Sequence, residues 1–186
     1  MLPTIAFAQS VREDFDSNTL GWNEFVGEKY SAIIKDGALH LETLEKAPLA
    51  IASCYLTVDP QKPFEIKAKL MDTKINDEER GIGIVFNYLD DCNFDVFLLS
   101  KDKAYYWRYV DNKCVGTRCG DVKFQRKQKD HDLSVKYGYD RLEFFVNNVK
   151  ALEIRNAPMK YNGFGLMAWA LDGKQTAQVD YIEFIQ

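Results

Sequence analysis

From residue 31 to residue 185 the sequence is a succession of short alternating runs punctuated by turn residues, a rhythm that leaves little room for anything but β-structure. Ser31–Ile34 and Ala38–Glu42 flank Asp36-Gly37, a pair suited to a tight hairpin turn because both central residues must take positive φ. In the second run Leu39 and Leu41 fall on one face and His40 and Glu42 on the other, so His40 is expected to be exposed and structural. Further strands are expected at Ala50–Val58, Phe64–Met71, Gly81–Tyr88, Phe94–Ser100, Ala104–Val110, His131–Tyr137, Arg141–Val146, Ala151–Arg155, Phe164–Ala170 and Gln178–Ile185. Asp-Pro, Asp-Asp, Asp-Asn, Tyr-Gly, Asn-Asn and Asp-Gly supply turn chemistry between them. No pattern predicts a helix of more than three turns, and the polar segment Asp72–Arg80 reads as a loop or a single helical turn. With no linker and no repeat in 186 residues, one all-β domain is expected, spanning residues 11–186.

Charge and cysteine usage narrow the function classes. A net charge of −4 gives no basic field for a polyanion, so nucleic acid is not the expected partner. The one basic cluster, Lys123, Arg126, Lys127 and Lys129, runs straight into Asp130 and Asp132 and reads as a solvated loop. No apolar run is long enough for a membrane-spanning helix. In residues 1–10, MLPTIAFAQS, the small-x-small pattern Ala6-Phe7-Ala8 before Gln9 resembles the end of a signal peptide, so export is expected; a short first strand is the competing reading. Cys54, Cys92, Cys114 and Cys119 are compatible with two disulfides in any of three connectivities. A Cys114–Cys119 bridge would need a turn between them, since an extended segment of that length spans roughly 16 Å. No C-x2-C pair or neighbouring His supports zinc.

The segment Ala104–Val110 carries rings on both faces. Tyr105, Trp107 and Tyr109 share one; Ala104, Tyr106, Arg108 and Val110 share the other. A strand in a sandwich buries one face in the core, so the second is either covered by a loop or is an aromatic surface of the kind that marks a binding site. Trp169, which shares a face with Gly165 and Met167, poses the same choice.

The order of motifs carries a resemblance. Asp14-Phe15-Asp16 with Gly21-Trp22 precedes Asp36-Gly37-x-Leu39-x-Leu41, Phe64-Glu65-Ile66, the run Gly81–Phe86 and Asp91-Cys92-Asn93-Phe94-Asp95-Val96-Phe97. Leu142–Asn148, Gly163-Phe164-Gly165-Leu166 and Val179-Asp180-Tyr181 follow. This succession resembles the concanavalin A-like lectin/glucanase superfamily, and within it the laminin-G-like and 3-keto-disaccharide hydrolase-like domains of exported bacterial proteins. The resemblance implies a jelly-roll β-sandwich of two antiparallel sheets, one concave, with the first and last strands adjacent. Many relatives bind or cut carbohydrate across the concave sheet, whereas others bind proteins or act as spacers.

Sugar rings stack on Trp and Tyr, and their hydroxyls need polar partners. The expected ligand-binding set is therefore Tyr105, Trp107, Tyr109 and Trp169 with Asn87, Asp95 and Arg108. Calcium, which lectin-like jelly rolls often use, would be held by Asp14, Asp16 and Asp180 if the first and last strands pair. A glycosidase needs two carboxylates about 5–10 Å apart. The family-16 glycoside hydrolases of this superfamily place theirs on one strand as E-x-D-x-x-E, and the nearest match, Gln178-Val-Asp180-Tyr-Ile-Glu183, has an amide at its first position. Asp90-Asp91, Asp77-Glu78-Glu79 and Asp14-x-Asp16 read as acidic turns, and with only His40 and His131 a Ser-His-Asp site has little support. The expectation is an exported, non-catalytic carbohydrate-binding domain; the alternatives are a glycan-processing hydrolase and a protein-interaction or spacer domain.

Overall fold

The computed structural model describes residues 10–44, 50–122, 128–171 and 173–186, which form strands and no helix. In chain order these are β1 (Ser10–Glu13), β2 (Phe25–Val26), β3 (Tyr30–Lys35), β4 (Ala38–Thr43), β5 (Ala50–Tyr55), β6 (Phe64–Lys74), β7 (Ile82–Asp90), β8 (Asn93–Leu99), β9 (Lys103–Val110), β10 (Lys113–Asp121), β11 (His131–Gly138), β12 (Arg141–Val146), β13 (Val149–Arg155), β14 (Gly163–Ala168) and β15 (Gln175–Ile185). A nine-stranded sheet runs β13-β12-β11-β6-β15-β4-β3-β2, with β1 also paired to β15; a six-stranded sheet runs β10-β9-β8-β7-β14-β5. Every pairing is antiparallel. Each expected strand is present, and β1, β2 and β10 are additional.

The turns explain the tight hairpins. Asp36 and Gly37, Asp111 and Asn112, Tyr139 and Asp140, and Asn147 and Asn148 all take positive φ as adjacent pairs, the backbone that matches strand twist in a two-residue hairpin. Between the sheets, Phe86, Phe97, Tyr106 and Phe144 form one ring cluster, with Phe97 and Phe144 centroids 4.9 Å apart. Phe15, Trp22, Phe164, Phe184 and Phe64 extend it along the sandwich. Tyr106 is thus core, as the alternation of β9 requires. Gly83 lets β7 approach β8 closely: a Cβ there would stand 1.9 Å from the Phe97 carbonyl oxygen.

Several expectations are corrected. The strand β10 contains both Cys114 and Cys119, opposite Tyr109 and Tyr105, so no turn brings them together. All four cysteines are free thiols in this structure; Cys54 lies in the core, where burial pushes its thiol up to about 12. His40 points away from the core as expected but is only half-exposed, its Nε2 buried without a hydrogen-bond partner among the described residues. In the basic cluster, Lys123, Arg126 and Lys127 lie outside the described residues, as does the signal-like stretch 1–9, while Lys129 pairs with Asp72 at 3.0 Å.

His131, at the start of β11, is buried, and burial holds its imidazole below the ordinary 6.5 despite the opposing pull of Asp130 and Asp132. The folded state thus resists a proton that the unfolded chain accepts. Stability should be flat above pH 6.5, fall as the pH drops through 6.5, and level off below the folded value. The slope is at most about 1.4 kcal/mol per pH unit. Urea melts from pH 7.5 to 5 test this: His131→Gln should flatten the profile, and an unchanged profile would assign the acid sensitivity elsewhere.

Candidate functional site

The outer face of the six-stranded sheet carries a second hydrophobic cluster. Its floor is Val85, Val96, Leu98 and Met167, each fully covered, with Ile51, Tyr88, Phe94 and Trp107 around them. Tyr105, Tyr109 and Trp169 lie over it, half-buried. Phe94 and Tyr109 stack at 5.0 Å, and Trp169 sets its ring edge-on to Trp107 at 5.4 Å and to Tyr109 at 6.4 Å. The four aromatic residues picked out from the sequence are therefore brought together. Trp107 is only 6% exposed, however, so it underlies the surface that Tyr105, Tyr109 and Trp169 present.

Arg80 completes the layer, a residue that sequence reasoning missed because it stands in a polar loop away from the aromatic run. Its guanidinium carbon lies 4.2 Å from the ring centroids of both Trp107 and Trp169. The loop is held by Asp77: its Oδ1 accepts the backbone N–H groups of Glu79 and Arg80 at 2.9 Å each, and its Oδ2 accepts that of Leu171 at 2.7 Å. The Tyr105 hydroxyl donates to the Glu78 carbonyl at 3.2 Å, and the Trp169 backbone N–H to the Gly81 carbonyl at 2.9 Å. Asp77 is buried and anchors the loop; it is not a solvated turn residue.

Asn87, Asp95 and Arg108 are brought together on the other side of the sheet, in a network at the end of the sandwich. Arg108 Nε and Nη2 donate to the two Asp95 carboxylate oxygens at 2.6 Å each, and Asn87 Nδ2 donates to the same carboxylate at 3.0 Å. Tyr106 lies within reach of it at 3.4 Å. Asn87 Oδ1 accepts the Lys160 and Tyr161 N–H groups at 2.8 and 3.0 Å, and Arg108 Nη2 donates to the Pro158 carbonyl at 3.2 Å. Burial pushes the Asp95 carboxyl up, against the pull of Arg108; the Asp95 hydrogen bonds in turn raise Arg108. This network fastens the 158–161 loop, and a cavity of about 100 Å³ opens beside it, where Tyr109 and Phe94 also form part of the wall. Asp95 and Arg108 thus turn to the opposite side of their strands from the rings, because adjacent residues of a strand point to opposite faces, and the network meets the aromatic residues at this cavity, whose wall Tyr109 and Phe94 share.

The metal expectation is not met by the residues present. Among the described residues no three His, Cys, Asp or Glu side chains gather to hold an ion, and Asp14, Asp16 and Asp180 are not brought together as such a group. Asp14 is taken up by Arg12, whose Nε donates to it at 2.7 Å while its guanidinium lies over the Tyr181 ring. The outward positions of the central strands are Gly83 and Val85, Val96 and Leu98, and Gly165 and Met167. Gln178, Asp180 and Glu183 lie on β15 in the opposite sheet, where Glu183 accepts the Ser10 hydroxyl at 2.9 Å.

No protein-family model matches the sequence, and no curated protein matches it. Solved structures do. A prokaryotic β-1,3-1,4-glucanase (lichenase) from a mouse hindgut metagenome superposes with a TM-score of 0.65 over 95% of this chain and 98% of its own, at 16% identity. The catalytic domain of an endo-1,3-β-glucanase (laminarinase) from Thermotoga petrophila gives 0.65 over 98% and 99% at 12% identity. A carbohydrate-binding module from Bacillus subtilis gives 0.53 over 87% and 93% at 14% identity. With its two antiparallel sheets and its paired first and last strands, the chain has the concanavalin A-like jelly-roll fold that its motif order resembles.

Proposed function

We propose that this is an exported, non-catalytic carbohydrate-binding domain that holds a glycan against the outer face of its six-stranded sheet. The observation that carries the reading is the half-buried layer of Tyr105, Tyr109 and Trp169 spread over an apolar floor outside the sandwich core. Ordinary solvent-facing sheet positions are polar; a cluster of half-buried rings at such positions suits the flat C–H faces of sugars. The fold supports the reading, since neighbours described as β-glucanases and as a carbohydrate-binding module are built alike. The apolar central strands favour binding over hydrolysis, because acid and nucleophile would have to stand on that face.

A glycan array on the purified domain, followed by titration calorimetry, tests the proposal. Binding to a defined sugar class is expected, and Trp169→Ala should weaken it by about tenfold or more. Silence across a broad array would overturn the reading in favour of a protein-binding or spacer role.

A further inference from the structure

Resting on that carbohydrate reading, we infer that the glycan taken by this face is anionic, and that its carboxylate or sulfate group is received by Arg80. The guanidinium sits against two tryptophan faces, which attract its charge but offer no acceptor to its N–H groups. Its Nε is buried with no hydrogen-bond partner among the described residues. Among the described residues its Nη1 has long contacts, 3.5 Å to the Glu79 carbonyl and 3.7 Å to the Glu79 carboxylate. The side chain is 18% exposed, so it is partly stripped of water yet still reachable through its outer nitrogens.

A fixed, partly desolvated cation with unmet donors gains most from an oxyanion, because charge-assisted hydrogen bonds strengthen where water is excluded. Asp77 fixes the loop backbone at Arg80 before any ligand arrives, which lowers the ordering cost of binding. The guanidinium lies against Trp169, and Tyr109 lies on from it with its centroid 6.4 Å from that of Trp169, so one sugar ring can stack while its acidic substituent reaches Arg80. Glu79, 69% exposed on the same loop, is the intramolecular competitor that an incoming anion displaces. The chain's net charge of −4 means that this recognition is local and owes nothing to a general basic field.

The test uses matched probes: an oligogalacturonate against its methyl ester, and a sulfated galactan oligomer against its desulfated form, titrated into the whole chain at low and high salt. At least one anionic probe should bind about tenfold tighter than its neutral partner, with the advantage reduced by salt. The pair that shows the difference tells carboxylate from sulfate. Arg80→Gln should abolish the difference, and Glu79→Gln should enlarge it, a check that stands even where the Arg80 variant fails to fold. Equal binding of the charged and neutral members of both pairs, or a preference that survives in Arg80→Gln, overturns the inference and leaves the carbohydrate reading intact. Silence toward every probe and across the array overturns both.

Discussion

Arg108→Met should destabilise the domain by about 3–5 kcal/mol at neutral pH, because it leaves the Asp95 carboxylate buried without its counter-ion. Asp95 is fully buried and Arg108 only 18% exposed, so the pair is poorly screened. Against a typical total of about 5–15 kcal/mol, such a loss brings a domain close to unfolding. The pH dependence carries a sign that distinguishes this mechanism from lost packing. Desolvation already pushes the Asp95 carboxyl above 3.8, and without Arg108 only the Asn87 and Tyr106 hydrogen bonds oppose it. A group whose folded pKa is raised stabilises most when protonated, so the penalty should shrink as the pH falls from 7 toward 4. Urea melts of both proteins at pH 7 and pH 4.5 check this. A penalty below about 1 kcal/mol would mean that the pair is effectively solvated. Asp95→Leu combined with Arg108→Met should recover most of the loss.

Trp107→Ala should cost about 3–5 kcal/mol, the range for emptying a well-packed aromatic site. The variant removes the ring beneath both Arg80 and Trp169, so the 76–80 loop loses its seat as well. Trp169→Ala, which takes a ring from the top of the same layer, should cost less stability and more binding. Thermal melts and calorimetry on the two variants separate the layers. If Trp107→Ala left the melting temperature unchanged while abolishing binding, Trp107 would be part of the contact surface instead of its foundation.

The sandwich was legible because most strands have one buried and one open face, which writes a period of two into the sequence: Leu39 and Leu41 against His40 and Glu42 is the pattern in miniature. The strand β10 was not, because it is a sheet edge exposed along most of its length, and burial imposes no alternation on Lys113–Asp121. The same reasoning divides the site. Alternation along β9 placed Tyr105, Trp107 and Tyr109 together correctly, but it could not say which ring lies uppermost, since that depends on Trp169 from the end of β14 and on the loop before β7. Arg80 was invisible for that reason: its partners are far away in sequence, and an arginine in a run of acidic residues carries no signal of being buried between rings. Asn87, Asp95 and Arg108 were correctly associated with one another, yet the face they serve depends on the 158–161 loop crossing the end of the sandwich.

The position of β15 has a consequence for how the domain acquires its structure. It lies between β6 and β4 in the nine-stranded sheet and also pairs with β1. Until the segment 175–185 has been synthesised, the β13-β12-β11-β6 and β4-β3-β2 halves have no strand to join them. A nascent chain can form local hairpins through the two-residue turns, but closing the larger sheet must wait for its last strand. Such long-range closure is slow, and it leaves the waiting edges of β4 and β6 open to intermolecular pairing. Fragments lacking β15 should therefore be trapped as aggregation-prone half-sheets.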